Sequence, residues 1–159
     1  MKKMLLFLLI CSTNLIAQNI PNVALENLEG ESFSTSNFEK IIDKPIIVSF
    51  WATWCIPCLN ELTFVNENFE DWKKKYQFDF YAISVDDDRT VKKVQTVANG
   101  KNWNFTILLD TNQDLKRQLN INSIPYLLVI KNGKIIFKKN GFVKGDETKI
   151  EEIIAKNQY

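Results

Sequence analysis

Apolar residues along this chain follow two different periods, and the switches between them mark out the elements. Pro45 opens Ile46-Ile47-Val48-Ser49-Phe50-Trp51, a nearly continuous β-favouring run that predicts a strand covered on both faces. From Pro57 to about Lys75, Leu59, Leu62, Val65, Phe69 and Trp72 return every three or four residues, the period of a helix with one buried side. Phe78 to Val85 reads as the next strand. A helix from about Arg89 to Ala98, ending near Gly100, and a strand from Phe105 to Leu109 follow. Asp110 to Leu119 reads as a short helix. Tyr126–Ile130 and Ile135–Lys138 flank Asn132-Gly133, a strong hairpin signal. Asp146 stands where a side chain caps a last helix whose Ile150, Ile153 and Ile154 turn inward. Before the first long strand, short strand pieces around Val23–Leu28, a Glu29-Gly30 turn and a loop at Ser34–Phe38 lead into a short helix. This alternation predicts an α/β fold with a mixed central sheet and helices on both faces.

Composition narrows the picture. With 159 residues, 45% of them hydrophobic and 25% charged, the chain has the material for one domain with its own core, and no repeat or low-complexity tract divides it. A formal net charge of +1 gives no basic excess for a phosphate backbone, so nucleic acid is not an expected partner. Lys2 and Lys3, the apolar Met4–Ile10 stretch and the small Ala17 have the layout of a signal peptide cleaved before Gln18. The expected division is therefore a signal peptide at 1–17 and one domain at 18–159. The apolar stretch falls short of the roughly 20 residues that span a bilayer, which disfavours an uncleaved anchor. Cys11 resembles a lipid-attachment cysteine, but the bulky Ile10 before it and the later cleavage-like site argue against that. Removing residues 1–17 leaves 18 basic and 19 acidic side chains, a net charge of about −1. It also leaves only Cys55 and Cys58.

A close pair of cysteines does not staple a scaffold together. Structural zinc needs four ligands, and this chain has no histidine and no third mature cysteine. An inert disulfide of such short span would constrain little of the unfolded chain. Thiol–disulfide exchange needs an attacking thiolate and a second thiol near enough to resolve the mixed disulfide. At a helix start, Cys55 would face unpaired backbone N–H groups and the positive end of the helix dipole, which favour its thiolate. Cys58, inside the first turn, would be the more covered resolving thiol. Pro57 suits a first-turn position and stiffens the bend. The Ile56-Pro57 spacer carries no His or Lys to stabilise the thiolate further, which leans towards a reductant.

Phe50-Trp51-Ala52-Thr53-Trp54-Cys55-Ile56-Pro57-Cys58 closely resembles the active-site segment of the TlpA/ResA-like thioredoxins of bacterial envelopes. The resemblance covers nearly all of the mature chain. Ser123-Ile124-Pro125-Tyr126 is similar to the family's cis-proline loop, and Lys131-Asn132-Gly133-Lys134-Ile135 to its following hairpin. It implies a thioredoxin-like fold in which about Asp87 to Leu109 forms an extra helix-strand insertion. It also implies a cis bond before Pro125, with Ile124 free to pair with an extended substrate chain. Glu61 falls where the envelope reductases of this family carry a functional glutamate, able to accept or return a proton during exchange; the plainer alternative is a solvated or first-turn glutamate favoured by the dipole. Ser49 replaces the buried aspartate of cytosolic thioredoxins, and Ser123 stands where many relatives have glycine. Trp51 is expected in the core and Trp54 on the contact surface. Asp86, Asp87 and Asp88 read as a solvated turn rather than a cation site.

The expected activity is that of an exported protein-disulfide reductase or thiol-disulfide oxidoreductase of the periplasm or cell envelope. It would act as a monomer without a cofactor or metal, on client proteins with a disulfide or paired cysteines, and would be recharged by a membrane electron donor. Cytochrome c maturation is one role that the resemblance implies. A disulfide oxidase or isomerase, and a non-catalytic binding module, remain open. A thiol peroxidase is disfavoured because the threonine that its signature places three residues before the reactive cysteine is Ala52 here.

Overall fold

The computed structural model describes residues 18–143 and 145–158; the expected signal segment, with Cys11, lies outside them. Strands β1 (Gln18–Asn19), β2 (Ala24–Asn27) and β3 (Ser32–Ser34) come first. A 3-10 helix, Thr35–Lys40, follows, and Ser34 caps it by accepting from the Ser36 N–H. Next come β4 (Ile46–Trp51), α1 (Ile56–Lys75), β5 (Asp79–Ser84), α2 (Lys92–Gly100), β6 (Thr106–Leu109), α3 (Asp114–Gln118), β7 (Tyr126–Lys131), β8 (Lys134–Asn140) and α4 (Glu147–Lys156). The sheet order is β1-β8-β7-β4-β5-β6-β2-β3. β4, β5 and β6 run parallel, and β7 joins β4 antiparallel, so the sheet is mixed as its pattern predicts.

β4 sits in the middle, and all six of its residues are buried, which accounts for its unbroken apolar run. Its side chains alternate between the two faces. On one face Ser49 meets α1, and α1 in turn contacts α4. On the other face, Val48 pairs with Tyr81, whose ring lies 4.9 Å from that of Phe38 in the 3-10 helix. On α1, Cys58, Glu61, Leu62, Val65, Phe69 and Trp72 form the buried stripe. Phe69 meets Phe78, Phe80 and Phe105 edge-on, which locks the helix to β5 and β6.

Three boundaries depart from the sequence reading. α2 begins at Lys92 rather than near Arg89, because the Thr90 and Val91 N–H groups close a turn on the Asp87 carbonyl first. α3 is confined to Asp114–Gln118 because Gln113, at φ 56°, breaks the run that begins at Asp110. Asp146 precedes α4 but makes no side-chain cap; Lys139, Lys149 and the Val143 N–H occupy its carboxylate instead.

Candidate functional site: a cystine at a helix N-terminus

The site lies where β4 runs out. Beyond Trp51 the chain turns, with the Cys55 N–H bonded to the Ala52 carbonyl, and α1 starts at once. Cys55 is the N-cap: its carbonyl accepts from the Leu59 N–H and its sulfur from the Cys58 N–H at 3.3 Å. Pro57 falls in the first turn, where its missing N–H costs nothing. The two sulfurs are joined as a disulfide, S–S 2.03 Å, with Cα atoms 5.3 Å apart. Cys55 keeps 7% of its surface exposed and Cys58 none. Trp54 and Ile56 on either side of Cys55 are 62% and 70% exposed. Trp51 is fully buried against Trp103, with ring centres 4.9 Å apart.

One turn beyond Cys58 on the same helix face, Glu61 is only 1% exposed. The Ser49 hydroxyl donates to its Oε1 at 2.5 Å. Burial pushes its carboxyl up from the ordinary 4.5 to about 7, against the opposing pulls of the Ser49 hydrogen bond and the Lys139 ammonium; nearby Asp146 adds to the rise. The solvated first-turn alternative does not hold, because the side chain points into the sheet. Glu61 thus combines a buried position beside the cystine with a proton affinity matched to neutral pH.

Asp86 corrects the reading of the aspartate triplet. It is not part of a solvated turn but 1% exposed. Its carboxylate accepts from the Thr53 N–H at 2.8 Å, the Thr53 hydroxyl at 2.6 Å and the Ser84 hydroxyl at 2.8 Å. It therefore ties the end of β5 to the segment carrying Trp54 and Cys55. Asp87 and Asp88 do lie towards solvent. Among the described residues no group of three or more acidic, cysteine or histidine side chains is placed to hold a metal ion.

The Ile124–Pro125 peptide bond is cis. Pro125 is buried, Ile124 is half-buried, and the Ser123 hydroxyl bonds Asn140 at 3.0 Å. The Gly141 N–H donates to the Pro125 carbonyl at 2.8 Å, which brings the 141–143 loop beside the proline. Lys139 donates to the Gly141 carbonyl at 2.6 Å and to Asp146 at 2.7 Å. Asp146 also takes Lys149 and the Val143 N–H, and these donors hold its carboxyl well below the usual range. It is itself buried, while its partner Lys149 stays largely exposed.

Sequence reasoning placed Asp86 in solvent and did not single out Lys139. Asp86 looks like any turn aspartate until its partner Thr53, 33 residues earlier, is brought to it. Lys139 sits in a lysine-rich hairpin strand that reads as solvent-facing.

The AhpC/TSA family model matches residues 16–145. The thiol-disulfide oxidoreductase ResA of Bacillus thuringiensis subsp. konkukian is 28% identical over 144 residues, covering 89% of this chain and 78% of that protein. A thioredoxin-like protein from Porphyromonas gingivalis, solved in solution, superposes with a TM-score of 0.75 at 36% identity, covering 86% of this chain and 90% of that one. A thiol-disulfide oxidoreductase from Bacteroides fragilis shares the fold at a TM-score of 0.68 and 23% identity, over 86% of this chain and 99% of its own. Within the matched region Ala52 is fully buried and supplies no hydroxyl at the position where a thiol peroxidase carries threonine. With its cystine at the N-terminus of α1 and a cis-proline loop on β7, this chain belongs to the AhpC/TSA family and is a ResA-like thiol-disulfide oxidoreductase of thioredoxin-like fold.

Proposed function

We propose that this protein is an exported reductant of disulfides in envelope proteins, with residues 1–17 as its cleaved signal peptide and 18–159 as the working domain. The observation that carries the reading is the asymmetry of the cystine: Cys55 caps the helix and keeps 7% of its surface open, while Cys58 keeps none. In the reduced protein, the Cys55 thiolate attacks one sulfur of a client disulfide, forming a mixed disulfide and releasing a client thiolate. The Cys58 thiolate then attacks Cys55, closing the internal disulfide and freeing the second client thiol. Two electrons pass to the client. The pair must be recharged by a membrane donor, since an oxidising compartment would leave it as the disulfide.

Glu61 is the proton store for this cycle: buried, poised near neutrality, and on the face of Cys58, it takes the resolving thiol's proton and later returns it. Pro57 fixes the bend. Trp54, Ile124 and Pro125 receive the client, the tryptophan as an exposed apolar contact and the loop through extended backbone. Clients are exported proteins with paired cysteines, a class that includes the haem-binding thiols of an apocytochrome c. Among the described residues no helix is long and apolar enough to cross a membrane.

Two measurements test this reading. The reduction potential is expected near that of thioredoxin, about −270 mV, and a value near −120 mV would make the protein an oxidant. Cys58→Ser is expected to trap clients as mixed disulfides through Cys55, whereas Cys55→Ser traps none; function that survives Cys55→Ser would leave only a binding module.

A further inference from the structure

Lys139 lies on the hairpin strand at the far side of the sheet from β5, yet the strand register aims it at the site. Ser49 on β4 pairs directly with Leu127 on β7, and Leu127 pairs directly with Lys139 on β8. Directly paired residues project from the same face, so Ser49, Leu127 and Lys139 form one row on the α1 side. The row spans two strand spacings, roughly 10 Å, which a lysine side chain can partly close. Ser49 is the residue that bonds Glu61. The Lys139 side chain is only 17% exposed, and it is anchored by the Gly141 carbonyl and the Asp146 carboxylate. A lysine is rarely held so far from water unless it is paired. We propose that Lys139 and Asp146 are positioning residues for the thiol chemistry, an opposed charge pair that tunes how readily Glu61 gives up its proton.

The proposal rests on the role given to Glu61 above. The groups around that carboxyl come from every neighbouring element: Ser49 from β4, Lys139 from β8, Asp146 with its second partner Lys149 from the approach to α4 and α4 itself, and the cysteines from α1. Within this set Lys139 favours the carboxylate and Asp146 opposes it. Each also moderates the other, since Asp146 spends part of the Lys139 charge in its own ion pair. The two charges act on Glu61 with opposite sign, and a packing role for the same residues would not.

The test follows the Glu61 side-chain carboxyl by carbon-13 NMR through a pH titration of the oxidised full domain, using glutamate-labelled protein and Glu61→Gln to assign the signal. Lys139→Met is expected to raise the titration midpoint, and Asp146→Asn to lower it, each by about half a pH unit or more, a roughly threefold change in ionisation constant. Lys139→Arg keeps the charge and is expected to hold the wild-type midpoint. Midpoints that stay put in both charge-removing variants, or move in the same direction, overturn the proposal. If Asp146→Asn does not fold, the Lys139 pair decides alone: a shift with Met and none with Arg supports it, and equal shifts in both overturn it. Failure of the Glu61 reading looks different. In that case Glu61→Gln leaves the pH dependence of disulfide reduction unchanged, while the opposed midpoint shifts persist and the electrostatic coupling stands.

Discussion

Two carboxylates, equally buried at 1% exposure, stand on either side of the active-site segment and are held in opposite ways. Asp86 is surrounded by donors: the Thr53 N–H, the Thr53 hydroxyl and the Ser84 hydroxyl. Among the described residues, Glu61 receives the Ser49 hydroxyl, and the ammonium that acts on it, that of Lys139, is engaged elsewhere. A carboxylate that has its donors is a clamp, because it stays put and fixes what donates to it. A carboxylate with too few donors is a proton site, because burial raises the cost of its charge and so raises its proton affinity. The fold uses the first kind to hold Thr53, two residues before Cys55, and the second kind one turn after Cys58. Burial alone therefore does not tell what these two acidic residues do; the donors that face each of them separate the pair.

The contrast is most open to being broken at Asp86. Asp86→Ala strips the Thr53 and Ser84 donors of their acceptor at once, and the expected loss is about 3 to 4 kcal/mol by chemical denaturation at neutral pH. A loss below about 1 kcal/mol would mean that the clamp does not hold the segment.

Glu61 makes a prediction of a different shape. Its folded-state value, about 7, lies above the ordinary 4.5, so the unfolded chain gives up this proton first as pH rises. Its contribution is fully present below about pH 4.5 and is lost as pH climbs through 7, about 3 kcal/mol across the window. Glu61→Gln is expected to remove that slope from the stability of the oxidised protein, measured as denaturation midpoints at several pH values. Asp146 has the opposite sign, since its lowered value gives stability that is present above the ordinary carboxylate range and is lost in acid. An equal slope in wild type and Glu61→Gln would remove the distinction between the two carboxylates.

Smaller changes sharpen the comparison. Thr53→Val deletes one of the Asp86 donors and leaves the backbone one, with an expected cost of about 1 kcal/mol in the same denaturation experiment. Trp54→Ala touches neither carboxylate. It is expected to change stability by less than about 0.5 kcal/mol while raising the KM for a protein disulfide about fivefold, as the loss of an exposed apolar contact should.

The sequence made some of this legible and hid the rest for definite reasons. The α1 stripe and the unbroken β4 run were readable because each is a local period imposed by burial. The cysteine pair was readable because its spacing leaves few other chemistries. Pro125 came through resemblance, since nothing local marks a cis bond before it. Asp86 was misread because its burial depends on a partner far away in the chain, and a triplet of aspartates looks polar to any local rule. Asp146 holds the cap position without a side-chain cap, because Lys139, Lys149 and the Val143 N–H take up its carboxylate instead. α3 began late because Gln113 adopts a left-handed backbone, with its side chain bonded to the Val85 carbonyl, a cause no helix propensity records.

The central claim is that Glu61 handles the proton of the Cys55–Cys58 exchange, and the pH profile of that exchange tests it most directly. The pre-reduced protein is mixed with a protein disulfide under single-turnover conditions from pH 5 to 9, for wild type and for Glu61→Gln. The account predicts an inflection in the wild type, above the ordinary carboxylate range because Glu61 is buried, that disappears in the variant, with Cys55 still able to form the mixed disulfide. The same inflection in both proteins would contradict it.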